Sequence, residues 1–219
     1  GTPSPGNARA EKLHAQNRFS ITRQLAYSMD EMRRALDLGL FINGLPIATF
    51  ELKNSLTKQT VADAVEQYKR DRDPRERLFE FGRCVVHFAV DDSEVQMCTE
   101  LRGKGSWFLP FNKGYNDGAG NPPNPHGLKT DYLWKEVLTP AGLTNILENY
   151  AQVVETKDPK TGKLVPSSEV PPTTQFKAFT KVPGYDTTKR LMEEKDISAV
   201  FEDVAGRRPT AAEMDKFLG

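Results

Sequence analysis

The feature that most constrains the fold is the Asn43-Gly44 dipeptide, which lies between two apolar runs. Residues 36–42 read Leu-Asp-Leu-Gly-Leu-Phe-Ile, and residues 45–53 read Leu-Pro-Ile-Ala-Thr-Phe-Glu-Leu-Lys. Asn-Gly between apolar runs is the strongest short-range signal of a β-hairpin, because both residues tolerate positive φ angles. The sequence therefore predicts two antiparallel strands joined by a tight turn.

Three charged residues lie within these two apolar runs: Asp37 in the first, and Glu51 and Lys53 in the second. Side chains alternate between the faces of a strand, so Glu51 and Lys53 share one face while Phe50 and Leu52 point the other way. Burying an unpaired charge is costly, so we expect the pair to lie at a sheet edge, to pair internally or to bind a metal ion.

The register of the hairpin decides whether Asp37 can meet Glu51. A plain two-residue turn would pair Asp37 with Phe50 and place Asp37 on the face opposite Glu51. We therefore predict a register shift of one residue, through a bulge or a three-residue loop, with Gly44 at positive φ.

With that shift, the hairpin carries the minimal set for metal-dependent cleavage of a phosphodiester. Asp37, Glu51 and the backbone carbonyl of Leu52 supply oxygen ligands that suit Mg²⁺. Lys53 is placed to orient an attacking water and to stabilise developing negative charge. The bare pattern is weak on its own, because many strands end in such triplets at solvated edges.

The rest of the sequence predicts an α/β domain. Strands are expected near 19–25, 84–90, 94–98 and 107–111, and helices at 60–72 and from 139 to 150. Residues 112–129 are rich in Gly, Asn and Pro and predict a long loop. We predict a nuclease domain over 1–155, a linker over 156–174, and a small helical tail of unassigned role over 175–219.

The segment 36–53 resembles the N-terminal nuclease domain of type I restriction enzyme R subunits. In that family an acid, an apolar run, Asn-Gly-Leu-Pro, a second apolar run and Glu-Leu-Lys follow one another. Further stretches that resemble the family lie at 59–64, 67–68, 86–91, 108–114, 118–125 and 132–134. The resemblance runs from about residue 17 to about residue 150.

This resemblance implies a PD-(D/E)xK nuclease fold, with a mixed central sheet flanked by helices. By position, Asp37 and Glu51 would hold Mg²⁺ with the carbonyl of Leu52, and Lys53 would be the catalytic lysine. The chain departs from the family in having Leu36 where a proline is usual, which carries no chemistry.

Many relatives also carry Gln-x-x-x-Tyr on the helix that follows. Here Gln67 is followed directly by Tyr68, and Tyr68 fits the apolar stripe of a core residue. The candidates for DNA contact are Gln67, Lys69, Arg70 and Lys113. A solvated helix face is the simpler interpretation of Lys69 and Arg70.

The predicted function is that of a Mg²⁺-dependent DNA endonuclease domain. Its implied partners are double-stranded DNA and the methyltransferase and specificity subunits of a restriction-modification complex. The formal net charge is zero, which is unusual for a stand-alone DNA binder. A non-catalytic DNA-binding or docking module of the same fold is therefore the alternative, and a repair or junction nuclease is a third.

The sequence also bears on cofactors and location. It contains no Gly-x-x-x-x-Gly-Lys-Ser/Thr motif, so we expect ATP binding only in full-length members that carry the motor. The chain is then an excised N-terminal piece or a truncated product. Cys84 and Cys98 lack metal-ligand spacing and predict reduced thiols, and no apolar stretch is long enough to span a bilayer. We expect a cytoplasmic location.

Overall fold

The computed structural model describes residues 2–3, 6–28, 34–115 and 120–151, together with the strands 155–157 and 164–166. The chain divides into two units, of which the first comprises residues 1–111 and 123–151. The strands of the first unit are β1 (Phe19–Ala26), β2 (Ala35–Ile42), β3 (Leu45–Leu52), β4 (Val86–Val90), β5 (Val95–Cys98) and β6 (Leu109–Pro110). Its α-helices are α1 (Ala8–Ala15), α2 (Val61–Asp71) and α3 (Pro140–Asn149), with a 3₁₀ turn at Ser55–Thr57 and a π-helical turn at Leu133–Val137.

The six strands form one sheet in chain order, β1-β2-β3-β4-β5-β6. The β3–β4 pair is parallel, and the other neighbouring pairs are antiparallel. A parallel neighbour requires a crossover connection, and α2 lies in the connection between β3 and β4. The predicted α/β class with a mixed central sheet and helices is therefore confirmed.

The hairpin between β2 and β3 has the predicted shift in register. Ile42 pairs with Leu45 across the turn, so the loop has two residues, and Asn43 and Gly44 have φ angles of 53° and 83°. The shift occurs further along, where Phe41 pairs with Pro46 but Leu40 pairs with Ala48. A bulge thus takes up the extra residue within β3 and not in the turn. Proline suits this position, because it has no backbone N–H for a regular ladder.

Helix α2 begins as the sequence predicts and covers one face of the sheet. The backbone N–H of Thr60 donates to Asp63 Oδ2 at 2.7 Å, which completes a capping box. The buried side of the helix consists of Val61, Ala64, Val65 and Tyr68. Tyr68 joins a core cluster with Leu36, Phe79, Cys98 and Leu101. This packing fixes α2 over the middle of the sheet.

The aromatic side chains on the other face form a second packing layer. The ring of Phe50 lies 5.4 Å from both Phe88 and Trp134, between ring centroids, and Phe88 lies 5.6 Å from Phe111. The side chains of Phe50 in β3 and Phe88 in β4 therefore lie on the face of the sheet opposite α2. Consequently Thr49 and Glu51, which alternate with Phe50, face the helix.

The second unit comprises residues 112–122 and 152–219. In its described part, Asn121 accepts a hydrogen bond from the N–H of Lys113 and donates one to Asn112, both at 2.8 Å. The strands β7 (Glu155–Lys157) and β8 (Leu164–Pro166) pair antiparallel within the range that was predicted mainly as a linker. The predicted tail helices lie outside the described residues, and the domain division stays a prediction.

Two further sequence expectations concern long segments. The described residues of 112–129 contain no helix or strand, in agreement with the predicted loop. Across the described ranges, no helix is long and apolar enough to cross a membrane.

Candidate active site

Asp37 lies at the open end of the β2–β3 hairpin, opposite the Asn43-Gly44 turn. The pair Leu38–Phe50 sets the register, so the next position places Asp37 opposite Glu51. Asp37 Oδ2 accepts a hydrogen bond from the backbone N–H of Leu52 at 2.7 Å. Its other oxygen lies 3.4 Å from Nε2 of Gln24, which has a φ of 47°, uncommon for a residue other than glycine.

Glu51 is fully buried in a central strand, because β3 pairs with β2 on one side and β4 on the other. Arg72 contacts its Oε1 through both Nε and Nη2, each at 2.6 Å. Glu51 therefore does not lie at a sheet edge, and the carboxylate is paired with Arg72. Of the three arrangements expected for Glu51 and Lys53, binding of a metal ion stays a prediction. The partner missed at the sequence level is an arginine 21 residues away, whose local pattern marks it only as the end of a helix.

Burial and charge act on Glu51 in opposite directions. Burial raises the pKa of Glu51 to about 7, although the guanidinium of Arg72 lowers it. The negative charge of Asp37 adds to the rise, and the positive charge of Lys53 opposes it. The strand register places Asp37 opposite Glu51, and Lys53 follows two residues after Glu51, so the three residues lie close together.

Lys53 follows directly after β3 and is oriented by helix α2. Its Nζ donates a hydrogen bond to Oε1 of Gln67 at 2.5 Å, and its backbone N–H donates to the carbonyl of Val90 at 2.8 Å. Gln67 thus contacts the catalytic-lysine candidate, and its predicted contact with DNA stays a prediction. The ammonium group is held on the side of the sheet that α2 covers.

Two aspartates of the β4–β5 turn support the same end of the sheet. Asp92 Oδ2 accepts from the backbone N–H and the hydroxyl of Ser55, at 2.9 and 2.7 Å. Asp91 Oδ2 accepts from the backbone N–H of Val61 at 2.7 Å, at the first turn of α2. Each aspartate thus anchors the chain that follows Lys53.

A buried polar network lies beside Glu51 on the same strand. Thr49 Oγ1 lies 2.8 Å from the hydroxyl of Tyr68 and 2.7 Å from Nδ1 of His87. Burial lowers the pKa of His87 to about 3, so the imidazole is neutral at physiological pH. His87 and Tyr68 are therefore core residues, as the sequence predicts for Tyr68.

The other candidates for DNA contact are Lys69, Arg70 and Lys113. Arg70 is exposed and pairs with Glu66 at 2.8 Å along the helix. Lys69 is half-buried, and Lys113 belongs to the second unit. Their role in DNA contact stays a prediction.

The oxygen atoms of the site are compatible with a cation. Among the described residues, Glu51 Oε2 is buried and has no hydrogen-bond partner, so one carboxylate oxygen is left unsatisfied. Within those ranges there is no cluster of three or more His, Cys, Asp or Glu side chains that could hold a metal ion. A site here would need two carboxylates and a backbone carbonyl, as the sequence predicts. The buried, unsatisfied oxygen fits that set.

Known proteins with similar sequences are restriction enzyme subunits. Residues 8–106 match the family described as "Type I restriction enzyme R protein N terminus". The chain is also similar to the "Putative type I restriction enzyme MjaIXP endonuclease subunit" of Methanocaldococcus jannaschii, with 33% identity over 75 residues. That alignment covers 32% of this chain and 7% of the relative. Residues 8–106 of this chain are therefore similar to the N-terminal region of type I restriction enzyme R proteins.

Proposed function

We propose that this chain is a Mg²⁺-dependent DNA endonuclease module of a type I restriction-modification R subunit, with a PD-(D/E)xK fold. The observation that carries the proposal is the convergence of Asp37, Glu51 and Lys53 at one end of the β2–β3 hairpin. This end of the hairpin falls within residues 8–106, which match the family.

In this proposal Asp37 and Glu51 would hold the metal ion, with the backbone carbonyl of Leu52 as a further oxygen. Carboxylate and carbonyl oxygens are the ligands that Mg²⁺ prefers in proteins. The buried, unsatisfied Oε2 of Glu51 supports this assignment. When bound, Mg²⁺ lowers the pKa of water and neutralises charge on a scissile phosphate.

The side chains of the chain supply orientation and charge. Asp37 is held in place by the N–H of Leu52, so its carboxylate does not have to be ordered when a substrate binds. Lys53, oriented by Gln67, places a fixed positive charge where negative charge develops on the phosphate during hydrolysis. Hydrolysis adds water across the phosphodiester bond, and the leaving oxygen takes a proton.

The proposed substrate is double-stranded DNA, and the proposed partners are the methyltransferase and specificity subunits. With a net charge of zero, the chain depends on partner subunits to hold DNA. The match covers 7% of the relative named above. ATP is proposed as a cofactor only of full-length family members that carry the motor. Gln67, Lys69, Arg70 and Lys113 remain the candidates for contact with the phosphate backbone.

A second candidate function is a non-catalytic docking module of the same fold. The observation that favours it is the buried Glu51–Arg72 pair, since an arginine already neutralises the carboxylate without a metal ion. The two functions differ in metal dependence. A nuclease must bind Mg²⁺ through Asp37, whereas a docking module has no need to bind Mg²⁺ there.

The test is nicking of supercoiled plasmid by the chain, alone and with partner subunits, in Mg²⁺ or Mn²⁺. We expect nicking that EDTA abolishes and that Lys53→Ala lowers at least a hundredfold, in line with the loss of a charge that stabilises a transition state. Lys58→Ala is a matched control, because this lysine lies in the exposed segment after the site. Equal nicking by wild type and Lys53→Ala would contradict the proposal.

A further inference from the structure

We propose that Arg72 is a positioning residue that presents Glu51 to the metal ion, an inference that rests on the proposed function. Nε and Nη2 of Arg72 both contact Oε1 of Glu51 at 2.6 Å. The other oxygen, Oε2, is buried without a hydrogen-bond partner among the described residues. The guanidinium therefore fixes one oxygen of the carboxylate and leaves the second available.

This one-sided contact differs from the usual geometry of an arginine–carboxylate pair. A planar guanidinium commonly binds both oxygens of a carboxylate through two parallel hydrogen bonds. Contact with a single oxygen leaves the other desolvated and unsatisfied, which costs free energy unless a further group binds it. A cation at Oε2 would satisfy that oxygen, so the geometry suits a ligand that is held in advance of metal binding.

Arg72 is itself fixed by groups outside its own helix. Nη2 donates to the carbonyl of Ala35 at 3.0 Å, and Nη1 donates to the hydroxyl of Tyr27 at 3.3 Å. The guanidinium carbon also lies 5.6 Å from the centroid of the Tyr27 ring, within the range of a cation–π contact. Three separate contacts thus restrict the orientation of the guanidinium.

These anchors connect Arg72 to the strand that carries the other acid. Ala35 is the first residue of β2, two positions before Asp37. Through Arg72, the side chain of Glu51 is therefore tied to the backbone of the strand that bears Asp37. We infer that Arg72 sets the relative placement of the two carboxylates that would share the ion.

The chain offers variants that separate positioning from simple packing. Arg72→Met keeps an apolar stem and removes the guanidinium, and Arg72→Lys keeps the charge without the fork. Tyr27→Phe removes one anchor and leaves the aromatic core contact with Phe79 in place. Arg75→Met is the matched control, because Arg75 lies three residues on and pairs with Asp73 at the surface.

The experiment measures Mn²⁺ binding to the full 219-residue chain by electron paramagnetic resonance, with circular dichroism to verify folding. We expect Arg72→Met to weaken Mn²⁺ binding about 10–100-fold, as is typical when a residue that orients a metal ligand is lost. Arg72→Lys is expected to recover part of the affinity, and Tyr27→Phe to lose several-fold. Arg75→Met is expected to bind like wild type.

A kinetic measurement completes the test. Saturating Mn²⁺ is expected to restore most of the plasmid-nicking rate of Arg72→Met but not that of Lys53→Ala, since only the lysine acts on the reacting phosphate. The positioning role would be overturned, with the proposed function left standing, if folded Arg72→Met bound Mn²⁺ with wild-type affinity. If Arg72→Met fails to fold, wild-type affinity in Tyr27→Phe would have the same meaning. If Asp37→Asn binds Mn²⁺ as tightly as wild type does, both the positioning role of Arg72 and the proposed function are overturned.

Discussion

Replacing Glu51 with glutamine tests the balance between burial and ion pairing at the centre of the site. Glu51 is fully buried, and burial raises its pKa from an ordinary value of 4.5 to about 7 despite Arg72. In the unfolded chain the carboxyl group ionises near its ordinary value. Between these two pKa values the folded state binds one more proton than the unfolded state, so stability falls as pH rises.

The magnitude follows from the two pKa values. The contribution of Glu51 is fully present below pH 4.5 and is lost as pH rises through 7. Between pH 5 and pH 8, this linkage amounts to about 2.5 kcal/mol of unfolding free energy. Glu51→Gln cannot titrate, so that part of the pH dependence is absent. The variant also leaves Arg72 without a charged partner, but this offset is the same at every pH.

The assay is urea denaturation of both proteins from pH 5 to pH 8 in metal-free buffer. We expect the free-energy difference between wild type and Glu51→Gln to move by roughly 2–3 kcal/mol across this range, with wild type losing stability toward alkaline pH. Added Mn²⁺ is expected to reverse the loss in wild type only, since a ligand that binds the folded state stabilises it. A free-energy difference that does not vary with pH would show instead that the ion pair with Arg72 outweighs the burial of Glu51.

Three further predictions concern the neighbouring residues. Burial lowers the pKa of His87 to about 3, so the neutral imidazole stabilises the fold above pH 6.5 and this stabilisation is lost as pH falls. Wild type should therefore lose about 2 kcal/mol of unfolding free energy between pH 7 and pH 5 in urea titrations, and His87→Asn should lack this loss. Thr49→Val removes the hydroxyl between Tyr68 and His87 and should lower the unfolding free energy by roughly 2–4 kcal/mol, whereas exposed Thr22→Val should change it little; equal effects would contradict the network. Gln67→Ala frees the lysine that Gln67 orients and should lower the nicking rate about tenfold at saturating metal, and an unchanged rate would show that this contact does not orient Lys53.

The elements that the sequence predicts correctly are those with strong local signals. Asn43-Gly44 indicates the hairpin by itself, and the helical spacing of Val61, Ala64, Val65 and Tyr68 indicates α2. The shift in register was predictable because a chemical argument required Asp37 opposite Glu51. Its position at a bulge was not predictable, since it depends on how β3 pairs with both β2 and β4.

The part of the site that sequence reasoning missed is non-local. Arg72 is one of 30 lysine and arginine residues, and nothing in its immediate sequence marks it as the partner of a buried acid. Its place at the end of α2 becomes informative only once that helix packs over β3. Gln24 is a similar case, since its contact with Asp37 joins two neighbouring strands and its positive φ has no local sequence signal. The sequence indicated that Glu51 needs a partner if it is buried, but it did not indicate which residue that partner is.

The most direct test of the proposed metal site is a crystal structure of the chain soaked in Mn²⁺, with anomalous diffraction recorded near the manganese edge. We predict an anomalous peak within bonding distance of Asp37, Glu51 Oε2 and the carbonyl oxygen of Leu52, and no such peak in Asp37→Asn crystals. Crystals of wild type with no peak between Asp37 and Glu51, at Mn²⁺ concentrations that support nicking, would contradict it.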